Sequence, residues 1–182
     1  MTEDDPSSAT QGDLWVFGYG SLMWRTGFDY LERRQAKLIG AHRALCIYSH
    51  IHRGTPEAPG LVLGLDRGGS CRGMAFRVAA ENAGSTLAYL QERELVTKAY
   101  KEAVRQIELL GPKPERVSAH CYLVDRSHPQ YTKQLSLEEQ LRLVKQGRGR
   151  SGANPEYVLE TVRHMRELGI RDHALEWLAE RL

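Results

Sequence analysis

Three groups of residues in this 182-residue sequence are of types and spacings that do chemistry. The first is the turn Gly18-Tyr19-Gly20-Ser21-Leu22, which follows the apolar run from Leu14 to Gly18. Its glycines let the backbone approach a ligand and direct N–H groups at an anion or a developing oxyanion. The same residues also suit an ordinary tight turn. Two familiar alternatives fail. A dinucleotide fingerprint needs glycine where Met23 stands, and a nucleophile elbow needs glycine at Tyr19 and Met23 around Ser21. The second group is one carboxylate, Glu94, in helical register with Leu87 and Leu90. Burial beside apolar neighbours raises a carboxyl pKa toward neutrality and makes a general base or acid of it; a solvated or arginine-paired glutamate is the competing reading. The third group is Cys46, Tyr48, His50 and His52, which on one strand share a face. They lack a third clear ligand at metal-site spacing, so no metal is expected.

The elements that must position these residues follow from apolar periodicity. Leu14 to Gly18 reads as a buried strand feeding the glycine turn. Strands are also expected over Leu38 to His50, Leu61 to Asp66, Cys71 to Val78 and Val117 to Asp125, with breaks at residues 53–56, 67–69 and 111–114. Glu81 to Glu94 reads as a helix. Residues 95–110 are open between helix and strand, because Val96, Tyr100, Ala103, Val104, Ile107 and Leu110 have helical spacing while the Gly111 turn suits a hairpin. Ser136-Leu-Glu-Glu is a capping box opening one helix, and Asn154-Pro155-Glu156 reads as a cap and first-turn proline opening another. The basic stretch from Lys145 to Arg150, with the glycines around it, reads as a solvated loop between them.

Composition excludes several classes. Hydrophobic residues at 41% and charged residues at 26% describe a globular chain and neither a disordered nor a collagenous one. A net charge of +2 is too balanced for a protein that mainly neutralises a phosphate backbone, so nucleic acid is not an expected partner. No apolar run approaches the roughly 20 residues of a membrane span, and a membrane partner is not expected either. Three isolated cysteines suggest a reducing, cytoplasmic setting. Residues 1–13 are expected to be a frayed polar tail before a single domain at 14–182. Oligomeric state is not readable.

Two motifs together, Val16-Phe17-Gly18-Tyr19-Gly20-Ser21-Leu22-Met23-Trp24 and Tyr89-Leu90-x-x-Arg93-Glu94, resemble the ChaC-like γ-glutamylcyclotransferase family. Arg53-Gly54-Thr55-Pro56-Glu57-x-Pro59-Gly60, Cys71-x-Gly73-x-Ala75-Phe76-Arg77-Val78 and Gly149-x-Ser151-Gly152-x-Asn154-x-Glu156-Tyr157 look like the family's later landmarks in the same order. The resemblance spans Trp15 nearly to Leu182. It implies an α+β fold, a small mixed β-barrel with surrounding helices, in which residues 100–109 form a strand. It implies a cofactor-free cyclotransferase whose small-molecule substrate is glutathione, cleaved to pyroglutamate and cysteinylglycine. Glu94 matches the family's catalytic glutamate. Val16, Phe17, Gly18, Tyr19, Gly20, Ser21 and Leu22 match its substrate-binding loop, and Tyr100 and Tyr157 match recurring tyrosines. Met23 and Ala153 depart from the pattern, which bears on substrate preference. Other γ-glutamyl amino acids or amines, and a non-catalytic regulator linked to cation transport, are the competing functions.

Overall fold

The computed structural model describes residues 12–94 and 98–182; residues 1–11 of the expected tail, and residues 95–97, lie outside the described residues. At the end of that expected tail, Asp13 is fastened and not frayed. Its carboxylate accepts from Arg77 Nη1 at 2.6 Å and from the Ala80 N–H at 3.2 Å.

Five strands close a barrel in the order β1-β3-β2-β4-β5. They are β1 (Leu14–Gly18), β2 (Glu32–Ser49), β3 (Gly60–Val78), β4 (Tyr100–Leu109) and β5 (Glu115–Val124). The sheet is mixed, since β1 runs antiparallel to β3 and parallel to β5. Its backbone is the long β2–β3 hairpin, in register from Glu32 opposite Arg77 to Ser49 opposite Gly60. The expected break at residues 67–69 is a correction. Gly68 and Gly69, at φ of 97° and 68°, and Gly40, at 98°, sit where the pairing shifts between Ile39 and Ala41, and β3 continues through. These left-handed conformations suit glycine, and a bulge here bends and twists both strands so that a five-stranded sheet can curl shut.

Residues 100–109 form a strand, paired with β5 from Tyr100 opposite Val124 to Leu109 opposite Glu115. Their helical spacing misleads because its apolar residues do not share a face. Ile107 and Leu109 are buried two apart, whereas Val104 is 52% exposed. Contact with β2 is limited to Ile107–Leu109 against Ala36–Leu38, which closes the barrel through a narrow seam.

Alternation along β1 sends Phe17 into the main barrel core with Leu38, Leu61 and Phe76, and sends Val16 to the other side, into a smaller core with Leu22, Leu90 and Tyr122. Helix α1 (Ala83–Glu94) covers that smaller core with Leu87 and Leu90. Helix α2 (Leu137–Gln146) begins with the expected capping box of Ser136 and Glu139. It packs with α3 (Asn154–Glu167) and α4 (His173–Ala179) on the main core through Val144, Val158 and Leu178. No helix among the described residues is long and apolar enough to cross a membrane.

Two expectations about α3 and the loop before it are corrected. Asn154 does not cap α3, since Ala153 holds the cap position. Its fully buried side chain instead accepts from the Leu61 N–H at 2.7 Å and donates to the Leu61 carbonyl at 2.9 Å, pairing with β3 as another strand would. The basic loop is packed and not simply solvated. The Arg150 and Ser151 N–H groups donate to the Ile51 and His52 carbonyls, and short strands β6 (Arg148–Gly149) and β7 (Gly152–Ala153) pair beside them.

Candidate active site

The glycine turn is held from two sides. Gly18 pairs with Met74 at the end of β1, and the neighbouring Gly73 comes so close that a Cβ there would lie 2.2 Å from the Gly18 carbonyl oxygen. Behind the turn lies Arg43, a buried arginine of β2. Its Nε donates to the Tyr19 carbonyl and its Nη2 to the Arg72 carbonyl, each at 2.6 Å. Its Nη1 is 3.5 Å from Asp172, the residue that caps α4. One guanidinium thus joins the turn, β3 and α4. A single 3-10 turn then runs over Ser21–Met23. Its first internal bond is Met23 N–H to Gly20 carbonyl at 2.9 Å, so the N–H groups of Ser21 and Leu22 are left over by the turn itself.

Glu94 ends α1 and reaches the same cavity. Its side chain is 21% exposed. Burial pushes its pKa up, and Arg93 beside it offsets part of that rise, leaving it above the ordinary carboxylate range. Arg93 is only loosely its partner, with Nε 3.7 Å from Oε1. The other Arg93 nitrogens donate to Ser21 Oγ at 3.0 Å, to the Arg25 and Thr26 carbonyls, and to the Tyr89 hydroxyl.

Tyr100 and Tyr157 grip the backbone of one residue, Leu63. Tyr100 donates to the Leu63 carbonyl at 2.7 Å, and the Tyr157 hydroxyl accepts from the Leu63 N–H at 3.0 Å. With Asn154 on Leu61, these side chains satisfy the edge of β3 where no strand pairs with it. Burial pushes the phenols of Tyr19, Tyr100, Tyr122 and Tyr157 up, that of Tyr157 to about 12, so all four are protonated donors at neutral pH.

These groups enclose a cavity of about 100 Å³. Of the residues expected from sequence, Phe17, Gly18, Tyr19, Gly20, Ser21, Leu22, Glu94, Tyr100 and Tyr157 all line it. Val16 does not, because strand alternation turns it beneath α1. Val62, Leu63 and Tyr122 line it without having been expected. The cavity continues past Glu94, Tyr100 and Tyr157 into an open cleft of about 380 Å³ that adds Trp24, Arg25, His52 and Arg53. Arg43 had a sequence signal, as the one arginine, lysine or carboxylate in the run from Leu38 to His50. Arg93 stood within the Glu94 motif, whereas Tyr122 had none. The cysteine and histidine group does not assemble on one face. Strand β2 ends at Ser49, and His52 turns to hydrogen-bond Ser151 at 2.9 Å. Burial pushes the Cys46 thiol up to about 12.

A family model described as ChaC-like protein matches residues 14–182. The chain belongs to the ChaC-like family. Among curated ChaC-like relatives, it is 32% identical over 165 residues to the glutathione-specific gamma-glutamylcyclotransferase of Escherichia coli strain K12, covering 91% of this chain and 71% of that protein. It is also 32% identical over 160 residues to glutathione-specific gamma-glutamylcyclotransferase 1 of Danio rerio, covering 87% and 82%. Among solved structures, the yeast gamma-glutamylcyclotransferase specific to glutathione superposes with a TM-score of 0.82 at 20% identity, covering 93% of this chain and 95% of that one. At that identity the likeness establishes the fold, a γ-glutamylcyclotransferase barrel.

Proposed function

We propose that this protein is a γ-glutamylcyclotransferase that degrades glutathione to 5-oxoproline and cysteinylglycine, with residues 14–182 acting as one catalytic domain and Glu94 as general acid and base. The observation that carries the reading is the meeting, in one cavity, of a partly buried carboxyl of raised pKa with the amides of a glycine turn. The names of the relatives support the same substrate.

The reaction is an intramolecular aminolysis. The α-amine of the γ-glutamyl group attacks its own γ-carbonyl carbon, a five-membered lactam closes, and the bond to the cysteinyl nitrogen breaks. The donor carries its own nucleophile, so the protein's first task is to curl a flexible chain into attack geometry. Such alignment contributes roughly 7–11 kcal/mol when orientation is good. Glu94 takes a proton from the attacking nitrogen and returns it to the leaving nitrogen, a role typically worth about 100- to 10,000-fold in rate. The Ser21 and Leu22 N–H groups hold substrate oxygen in the inner cavity, and Tyr100 and Tyr157 wall in the glutamyl chain. The leaving cysteinylglycine extends into the outer cleft, where Arg25 and Arg53 supply positive charge for its carboxylate. That cleft favours a tripeptide over γ-glutamyl amines, which carry no such carboxylate. A reducing, cytoplasmic setting fits the three buried free thiols.

The test is pyroglutamate release from reduced glutathione and from γ-glutamyl dipeptides by the purified protein. Release from glutathione first is expected. No release from any donor overturns the reading in favour of a binding module.

A further inference from the structure

Two polar groups in the cavity lack partners of complementary sense. The Tyr122 side chain, 2% exposed on β5, lines the cavity, yet among the described residues its hydroxyl has no hydrogen-bond partner. Among the described residues, the Glu94 carboxyl accepts none either, and its charged neighbour Arg93 stands off at 3.7 Å. A buried hydroxyl left without a partner is destabilising, and such groups in native proteins call for an explanation. Packing does not supply one here. The Tyr122 ring already fills the small core with Leu22 and Leu90, and phenylalanine would fill it equally well without the orphaned oxygen.

The centre that reacts in γ-glutamyl lactam formation has the matching pair of needs. It presents a nitrogen that must lose a proton and, one forming bond away, a carbonyl oxygen that must accept charge. Glu94 suits the first. We propose that the Tyr122 hydroxyl donates a hydrogen bond to the γ-carbonyl oxygen of the bound γ-glutamyl group, stabilising the oxyanion of the tetrahedral intermediate. This rests on the γ-glutamyl reading above. The balance is simple. As the carbon–nitrogen bond of the lactam forms, the carbonyl π pair moves onto oxygen, where the Tyr122 O–H meets it. As the intermediate collapses, the pair returns, the bond to the cysteinyl nitrogen breaks, and the proton held by Glu94 goes to that nitrogen. Tyr122 keeps its proton throughout, since burial first, and the nearby carboxylates Glu102 and Glu94 next, oppose its ionisation. The Ser21 and Leu22 N–H groups are then free for the α-carboxylate of the same glutamyl group.

Tyr122→Phe removes one oxygen atom and tests the assignment. Loss of a single donor to a developing oxyanion costs about 100- to 1,000-fold in kcat. The expected result is a fall of that order in kcat for glutathione, KM within about twofold of wild type, and a thermal midpoint no lower than wild type, because no hydrogen bond of the free protein is lost. Wild-type kcat overturns the proposal. So does a raised KM with unchanged kcat, which assigns the hydroxyl to the α-carboxylate, and so does a loss of activity that follows a loss of thermal stability, which assigns it to packing. If wild-type protein releases no pyroglutamate from any donor, the γ-glutamyl reading itself has failed and this role falls with it.

Discussion

Arg93 Nη2 donates to Ser21 Oγ across 3.0 Å, tying the last turn of α1, and with it Glu94, to the glycine turn. The same guanidinium holds the Arg25 and Thr26 carbonyls, so the stretch after the turn cannot drift from the helix end. Misplacing a reacting group by about 1 Å can cost on the order of 100-fold. Arg93→Met is therefore expected to lower kcat/KM for glutathione by about 10- to 100-fold. It also removes the positive charge that restrains the Glu94 pKa. The acid limb of the profile of kcat/KM against pH should move to higher pH, and a rate loss with an unmoved limb would show that Arg93 acts on geometry alone.

Replacing the proposed base separates catalysis from stability. Glu94→Gln should abolish turnover and leave glutathione binding largely intact, measured by pyroglutamate release and by calorimetric titration. Its effect on folding has the opposite sign. The Glu94 pKa is raised in the folded state, so the folded protein binds this proton more tightly than the unfolded chain, and stability falls as pH rises through the folded pKa. At pH 7 to 8 the wild-type carboxylate is destabilising, and Glu94→Gln should melt at a higher temperature. Below about pH 4, near the ordinary glutamate pKa, both states hold the proton and the difference should vanish. An equal difference at pH 3 and pH 8 would remove burial of charge as its cause.

What was legible in the sequence was local. Glycine spacing announces the turn at residues 18–22, Ser136 and Glu139 announce a capping box, and apolar register sets Glu94 on a core-facing side of its helix. What was illegible was carried by contacts between distant residues. The glycines at 68 and 69 read as a chain break until Gly40 is seen across the ladder from them, where they become one bend. Asn154 before Pro155 has the pattern of a cap, but its amide is engaged by Leu61, 93 residues away. Tyr122 has an apolar strand around it and no motif, so only the cavity distinguishes it from an ordinary core tyrosine.

Acid sensitivity should come from Asp66. This carboxylate is almost fully buried on β3. Burial alone pushes its pKa up. Hydrogen bonds from Arg126 Nε at 2.7 Å, the Tyr131 hydroxyl at 2.8 Å and the Arg67 N–H at 2.8 Å outweigh that and hold it below the ordinary range. A depressed folded pKa contributes stability above the unfolded value of about 3.9, lost as pH falls through the folded pKa. Those bonds also fasten residues 125–131 to the barrel. Asp66→Asn should lower the thermal midpoint at pH 7 and flatten its fall below pH 4. A variant that melts with the wild-type pH dependence would place the acid-sensitive group elsewhere.

The uncovered edge of β3 gives a last prediction, because it joins barrel stability to the shape of the cavity. Asn154 satisfies both backbone groups of Leu61, and Tyr157 and Tyr100 satisfy the N–H and carbonyl of Leu63. Leaving a buried backbone group without its partner costs about 1–3 kcal/mol. Tyr157→Phe orphans one N–H, whereas Asn154→Ala orphans an N–H and a carbonyl in a fully buried position and removes side-chain volume as well. Urea unfolding should therefore rank wild type above Tyr157→Phe and Tyr157→Phe above Asn154→Ala. Activity should fall in both, although Asn154 does not line the cavity, because Leu63 forms part of its wall. Unchanged activity in Asn154→Ala would show that the edge is held by β2 alone, and that these side chains cover the strand without setting the position of the wall.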